Sequence, residues 1–260
     1  MYLSIVIPVY NSSKIIPKLI RQLNSNINKK IIKNFEIIFI NDFSKDNSWQ
    51  VIKFAAKNNS KIKGINLLKN YGQHSAIFAG LKFAKGKKII TMDDDLQHPT
   101  SSIMSICKKL DKHELCYTLY LNRKHKLWKK VISYCNNIYS SFLFDKPFKI
   151  YHSSFRGFSS NLNKKIIKHK KPVIFLDSLL LKHTKNICTV DVLHKKRFDG
   201  ESNYNLTNLF RLWFDMIINY HFLPLRFGTF VGIFSKTFVY LITIFDKKKI
   251  YQYKISEKTF

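Results

Sequence analysis

The chain has 260 residues and 30.8 kDa, room for one large domain or two modest ones, and its 45% apolar content is ample for a core. Charged residues are 23%, which excludes global disorder, but 45 Lys+Arg stand against 16 Asp+Glu, a net charge of +29. Such a surface is expected to seek phosphates on nucleic acid, anionic lipid or a nucleotide, although enrichment in Lys, Asn, Ile and Phe together also fits coding bias.

In chain order, short and nearly continuous apolar runs occur at Leu3–Ile7, Glu36–Ile40, Ile62–Leu67 and Lys88–Met92, as expected of strands buried on both faces. Between them lie helical patterns. Ile16, Leu19, Ile20, Leu23 and Ile27 follow a cap region at Ser12-Ser13, with Pro17 in the first turn. Trp49, Ile52 and Ala55-Ala56 follow Asp46 as cap, and Ala76, Ala79-Gly80 and Phe83-Ala84 form a face small enough for close packing on a sheet. This alternation predicts an α/β fold with a doubly wound, mostly parallel sheet, whose ligands bind beyond the carboxyl ends of the strands. A fifth strand is expected at Leu115–Leu121, a helix at Leu162–Ile167 and a late strand at Val190–Leu193. The N-terminus reads as a first strand, because it lacks the basic region and cleavage site of a signal peptide. Cys107, Cys116, Cys135 and Cys188 form no C-x-x-C pair. That argues against a zinc ribbon, a thioredoxin motif and a disulfide framework, and predicts reduced thiols in a cytosolic setting.

The strand ends carry acids rather than glycine-rich phosphate loops. No G-x-G-x-x-G follows the first strand, and Gly86-Lys87-Lys88 is not a Walker loop. Asn41-Asp42 follows the second strand and Asp93-Asp94-Asp95 the fourth. Three successive carboxylates repel one another unless a cation is present, and oxygen-only ligands suit Mg²⁺ or Mn²⁺ bridging protein and a nucleotide diphosphate. Alternation along a strand would put Asp93 and Asp95 on one side and Asp94 on the other, assigning Asp93 and Asp95 to a metal–nucleotide site. A solvated acidic loop is the plain alternative; the scarcity of acids and the buried strand before this cluster weigh against it.

Asn70-Tyr71-Gly72-Gln73, Gly80, Ala84-Lys85-Gly86 and Met92-Asp93-Asp94-Asp95-Leu96-Gln97-His98-Pro99 resemble the family 2 glycosyltransferases. The closer resemblance is to their polyprenyl-phosphate branch, with dolichyl-phosphate mannose synthases and bactoprenol glucosyltransferases. Ser4–Asn11 and Ile40–Ser44 resemble the family's first two strand ends, and Arg197–Tyr204 its R-F-x-G-E-S-K-Y signature. Pro224-Leu225-Arg226 is similar to its membrane entry, so the match runs over residues 2–245. Departures include Ser12 where many relatives have Glu, His98 where Asp is frequent, and Asn203 for Lys.

The resemblance implies a GT-A-type fold over residues 1–205, with a nucleotide-sugar half (1–105) and an acceptor half (106–205). It implies that Pro8, Tyr10 and Asn11 line the nucleotide pocket and that Asp42 binds base or ribose. Asp93, Asp95 and Gln97 would hold the cation, with Asp94 at the nucleotide sugar and Asp95 and Arg197 in the chemistry. Arg197 would neutralise phosphate oxygens, Ser202 and Tyr204 would offer hydroxyls, and Arg123, Lys129 and Ser133 would hold an acceptor phosphate. A solvated helix face is the plain reading of that basic patch.

A sugar hydroxyl must lose a proton to attack, whereas a polyprenyl phosphate is already an anion and needs positioning and charge neutralisation. Asp177 is the candidate base, with a helix N-cap as its plainer role. The implied function is inverting, metal-dependent transfer of a hexose from a UDP-glucose- or GDP-mannose-type donor to a polyprenyl phosphate at the cytoplasmic membrane face. The rivals are transfer to a surface polysaccharide with Asp177 as base, and a non-catalytic basic membrane-binding protein. Nucleic acid is not expected as a partner, because aromatics do not interleave with the basic runs. Residues 206–226 read as an interfacial amphipathic helix, 227–245 as a membrane-associated segment and 246–260 as a basic tail. The 19 residues from Phe227 reach roughly 28 Å as a helix, against a hydrocarbon core of about 30 Å, and Lys236 interrupts them. Crossing and folding back both remain open, and the net charge suits an anionic leaflet.

Overall fold

A computed structural model describes residues 2–27, 32, 34–121, 141, 150–170, 175–193 and 253–260. The apolar runs form its central strands: β1 (Tyr2–Val9), β2 (Asn34–Asn41), β3 (Ile62–Leu67) and β4 (Lys88–Thr91). They lie in the order β4-β1-β2-β3, all parallel, with Ile5 opposite both Ile37 and Ile90. Side chains alternate about the pleat, so Leu3, Ile5, Ile7 and Val9 enter one apolar cluster and Val6 the other. This is why the middles of β1 and β2 are so apolar: each face is covered.

Helices α1 (Ile16–Asn26) and α2 (Ser48–Asn58) cover the first face with Ile16, Leu19, Leu23, Trp49 and Ile52. The second face is covered by α3 (Gln73–Leu81), which sits very close to the sheet: a β-carbon on Gly80 would stand 2.6 Å from Ile40 and 2.7 Å from Val6. The expected small face is therefore in use. The caps differ slightly from expectation. Ile15 caps α1 and Asn47 caps α2, while Asp46 accepts hydrogen bonds from the amides of Ser13 (2.9 Å) and Ser48 (3.0 Å).

Past β4 a 3₁₀ turn (Thr100–Ser102) enters α4 (Ile103–Lys109), followed by β5 (Leu115–Leu121), β6 (Arg156–Ser159), α5 (Ser160–Ile166), α6 (Leu176–His183), β7 (Ile187–Leu193) and β8 (Ile255–Lys258). Among the described residues the sheet has eight strands, in the order β7-β5-β6-β4-β1-β2-β3-β8. β5 and β7 pair in parallel, whereas β6 is antiparallel to both β4 and β5, and β8 is antiparallel on β3. Neither β6 nor β8 is expected from the sequence: each has four residues, β6 holds a buried arginine and a glycine, and β8 (Ile-Ser-Glu-Lys) lies in the stretch read as a basic tail. β8 is held by side chains too, through Trp49 Nε1 donating to Glu257 Oε2 (2.7 Å) and the Gly64 amide to Thr259 Oγ1 (2.8 Å). The stretches 206–226 and 227–245 lie outside the described residues, among which no helix is long and apolar enough to cross a membrane.

Candidate active site

The described non-glycine residues with positive φ are Asn11 (55°), Phe43 (61°) and Leu96 (63°). Each lies just past the carboxyl end of a strand, β1, β2 and β4 respectively. A bulky residue in the left-handed region costs free energy that the surrounding contacts must offset, so strain is gathered at one edge of the sheet.

The loops at this edge are tied together. Asn11 takes the Lys45 amide on its Oδ1 (2.8 Å) and gives its own amide to Ser44 Oγ (2.9 Å). Asp42, 4% exposed, accepts the amides of Tyr71 (2.7 Å) and Gly72 (2.8 Å), and burial still raises its pKa. Gly72 holds φ at 84° and opens α3, and the next residue, Gln73, donates through Nε2 to Asp93 Oδ1 (2.5 Å). Asp42 and Asp93 thus grip neighbouring residues at the start of one helix. Tyr10 and Phe43, 40% and 51% exposed, stand beside Asp42 on the strand ends, whereas Pro8 is buried within β1.

The three aspartates do not follow strand alternation, because β4 ends at Thr91 and they belong to the loop beyond it. Asp93 also accepts from Ser154 Oγ (2.7 Å), gives its amide to His98 Nδ1 (3.0 Å) and has His98 Nε2 at 3.6 Å. Asp94 turns toward β1, where it accepts the Tyr10 amide (3.3 Å). Burial, opposed by the Ser12 hydroxyl and reinforced by the charges of Asp93 and Asp95, pushes Asp94 up to about 7. Asp95, 9% exposed, accepts the Gln97 amide (3.1 Å). Among the described residues no Lys or Arg pairs with Asp93 or Asp94.

Hard oxygen donors gathered in one loop suit a divalent cation such as Mg²⁺ or Mn²⁺. Among the described residues, no three or more His, Cys, Asp or Glu side chains form a cage by themselves.

Across β4 a second polar cluster has the opposite character. Asp177, on the first turn of α6, is 4% exposed and pairs with Arg156 Nη1 of β6, which is 1% exposed. It also accepts from Tyr117 Oη (2.8 Å) and has His152 Nδ1 at 3.5 Å. Burial alone would raise the Asp177 pKa, but the Arg156 charge, with help from His152, holds it well below the usual carboxylate range. Phe175, not Asp177, caps α6. Gln73, Ser154, Tyr117 and Arg156 are functional-site neighbours that sequence reading does not assign; Gln73 stands in a quoted motif, but nothing in the order of residues brings Arg156 to Asp177. Arg123, Lys129, Ser133, Arg197, Ser202 and Tyr204 lie outside the described residues.

Residues 4–167 match the family model "Glycosyl transferase family 2". The chain is 31% identical over 233 residues to the undecaprenyl-phosphate 4-deoxy-4-formamido-L-arabinose transferase of Shewanella sediminis, covering 89% of this chain and 70% of that one. The protein of that name in Pectobacterium atrosepticum is 31% identical over 231 residues (88% and 70%). Among solved structures, the Mycobacterium tuberculosis glucosyl-3-phosphoglycerate synthase in complex with Mn²⁺, UDP-glucose and phosphoglyceric acid superposes with a TM-score of 0.55 at 15% identity, over 80% of this chain and 74% of that one. Staphylococcus aureus TarS (residues 1–349) with UDP-GlcNAc gives 0.54 at 18% identity, over 79% of this chain and 62% of that one, so this chain spans about three fifths of it. The fold is the GT-A type expected from the sequence.

Proposed function

We propose that this chain, a glycosyltransferase belonging to glycosyl transferase family 2, moves a glycosyl group from a nucleotide-diphosphate donor to a polyprenyl phosphate at the cytoplasmic membrane face. The relatives' names support the acceptor, and they set a substituted pentose beside the hexoses as the transferred group. The observation that carries the choice of acceptor is the state of Asp177. A hydroxyl acceptor needs an accessible base of matched pKa. Asp177 is buried, bound to Arg156 and held far into its ionised form, so it accepts a proton poorly. A phosphate acceptor makes no such demand.

In this reading Tyr10, Asn11 and Asp42 receive the nucleoside, with Pro8 supporting the strand end beneath them. Asp93, Asp95 and Gln97 would hold Mg²⁺ or Mn²⁺, which supplies Lewis-acid charge against the departing diphosphate. Asp94, between β1 and the acidic loop, keeps that loop against the nucleotide pocket. Gln73 and Ser154 orient Asp93. Arg197, with hydroxyls from Ser202 and Tyr204, neutralises phosphate oxygens, and Arg123, Lys129 and Ser133 hold the acceptor phosphate for in-line displacement with inversion.

The sheet also constrains membrane attachment. The chain leaves β7 at residue 193 and β8 belongs to the same sheet, which supports attachment with both ends on one side of a membrane. Attachment to anionic lipid with both ends on the cytoplasmic side is the arrangement this supports.

The test is incubation of the protein with polyprenyl phosphate, Mn²⁺ and a panel of labelled nucleotide sugars that includes activated 4-deoxy-4-formamido-L-arabinose. Label should become lipid-extractable. Asp95→Ala should lose about 10²–10³ in rate, the scale of one lost electrostatic stabiliser, with the fold intact. Label appearing only in polysaccharide, or full activity in Asp95→Ala, would end this reading.

A further inference from the structure

β5 and β7 are parallel neighbours, and their register sets Cys116 directly opposite Cys188. Paired residues in a parallel ladder project to the same face, and both cysteines pack into the same apolar cluster. Adjacent strands lie about 4.8 Å apart, inside the roughly 4.4–6.8 Å window of Cα separations that a disulfide spans. Both are free thiols, and Cys116 is fully buried whereas Cys188 is partly exposed. We propose that Cys116 and Cys188 form a reversible thiol–disulfide couple, with Cys188 as the sulfur that meets a hydroperoxide and Cys116 as its resolving partner.

The local chemistry distinguishes the two roles. The Cys116 thiol points at the Tyr117 carbonyl oxygen (3.9 Å); the neighbouring Cys188 and burial raise its pKa, whereas Cys116 beside it lowers that of Cys188 from 9.0 to about 7 despite partial burial. The nearby His113 and Lys109 act in the same direction on Cys188. Lys109 ends α4 and His113 lies in the turn before β5. A thiolate fraction at an accessible sulfur is what selects one cysteine for oxidation.

In the first step the Cys188 sulfur takes the distal oxygen of a hydroperoxide; the O–O bond breaks, the alcohol leaves, and Cys188 becomes a sulfenic acid. In the second the Cys116 sulfur displaces the hydroxyl from Cys188, forming the S–S bond, and its proton leaves with that hydroxyl as water. Two thiols lose two electrons, and one hydroperoxide becomes one alcohol and one water. The product would be readily reversed. Closing the bridge requires β-carbons on two hydrogen-bonded strands to move closer than the sheet spacing, and strained bridges are the easily reduced ones. The couple is independent of the catalytic reading, since neither cysteine belongs to the carboxyl-edge site.

The experiment is peptide mapping of the unmodified full chain after graded hydrogen peroxide, with free thiols alkylated before digestion. The expected result is a single linked peptide pair joining Cys116 to Cys188, loss of alkylation at both, and full recovery with dithiothreitol. Cys107, also buried, should remain alkylatable on denaturation. In Cys116→Ser the sulfenic acid at Cys188 should persist and be trapped by dimedone; should that variant fail to fold, the wild-type map decides alone. Linkage through Cys107 or Cys135, over-oxidised Cys188 beside a still alkylatable Cys116, or no reaction of either in the folded protein would overturn the proposal.

Discussion

Asp177 is buried and Asp94 half-buried, yet Asp94 is pushed up to about 7 and Asp177 is held well below the usual range. The difference lies in what surrounds them. Asp94 stands between two further aspartates and accepts from hydroxyl and amide groups, whereas Asp177 faces a buried guanidinium. Neutral hydrogen-bond donors offset part of the cost of burying a carboxylate; a full positive charge offsets much more. The compensated acid is therefore built into the fold, whereas the raised pKa of Asp94 marks an unfavourable energy that, in the proposed function, an arriving cation would relieve. Chemistry is expected at the second kind of place.

The largest expected effect breaks the compensated region. Arg156→Leu leaves Asp177 buried without its partner and should cost about 3–5 kcal/mol in denaturant unfolding, while Arg156→Met combined with Asp177→Leu should recover a good part of it. If Asp177 were a base instead, Asp177→Asn would remove turnover in a protein that stays folded.

A smaller effect joins the two regions. His74 feels Asp177, Arg156 and Asp93, and burial above all lowers its pKa from 6.5 to about 4. Between those values the unfolded chain binds a proton that the folded one refuses. The stability this provides is complete above pH 6.5 and is lost as pH falls toward 4, by about 2–3 kcal/mol. His74→Gln should flatten that limb of a stability–pH curve; an unchanged slope would detach His74 from both regions.

The smallest effect has the opposite sign. Asp94→Asn removes one of three crowded charges and should stabilise the metal-free protein by about 1 kcal/mol while lowering transfer, the usual exchange of stability against function at a site. Destabilisation by this change, read from a thermal melt without added cation, would show that the crowding carries no cost and that the contrast with Asp177 is only apparent.

Much of the donor half is legible in one dimension. β1, β2 and β3 announce themselves because a strand covered on both faces is apolar along most of its length, and α3 because a helix lying close on a sheet needs Ala and Gly where it touches. The acidic loop is legible as composition, although its side-chain directions are not: alternation ceases at Thr91, and Leu96 turns the chain with φ at 63°. In the acceptor half, β6 hides because its arginine is the inward residue. An arginine reads as surface until its partner is known, and that partner arrives from α6.

The amino-acid order by itself determined which segments must be buried and where the negative charge gathers, since both follow from the chemistry of neighbouring residues. Tertiary structure alone decided which charge meets which. The insertion of β6 between β4 and β5 brings Arg156 to Asp177, and the β5–β7 register brings Cys116 to Cys188. Pairings between distant segments depend on sheet order and register, which local propensity does not encode.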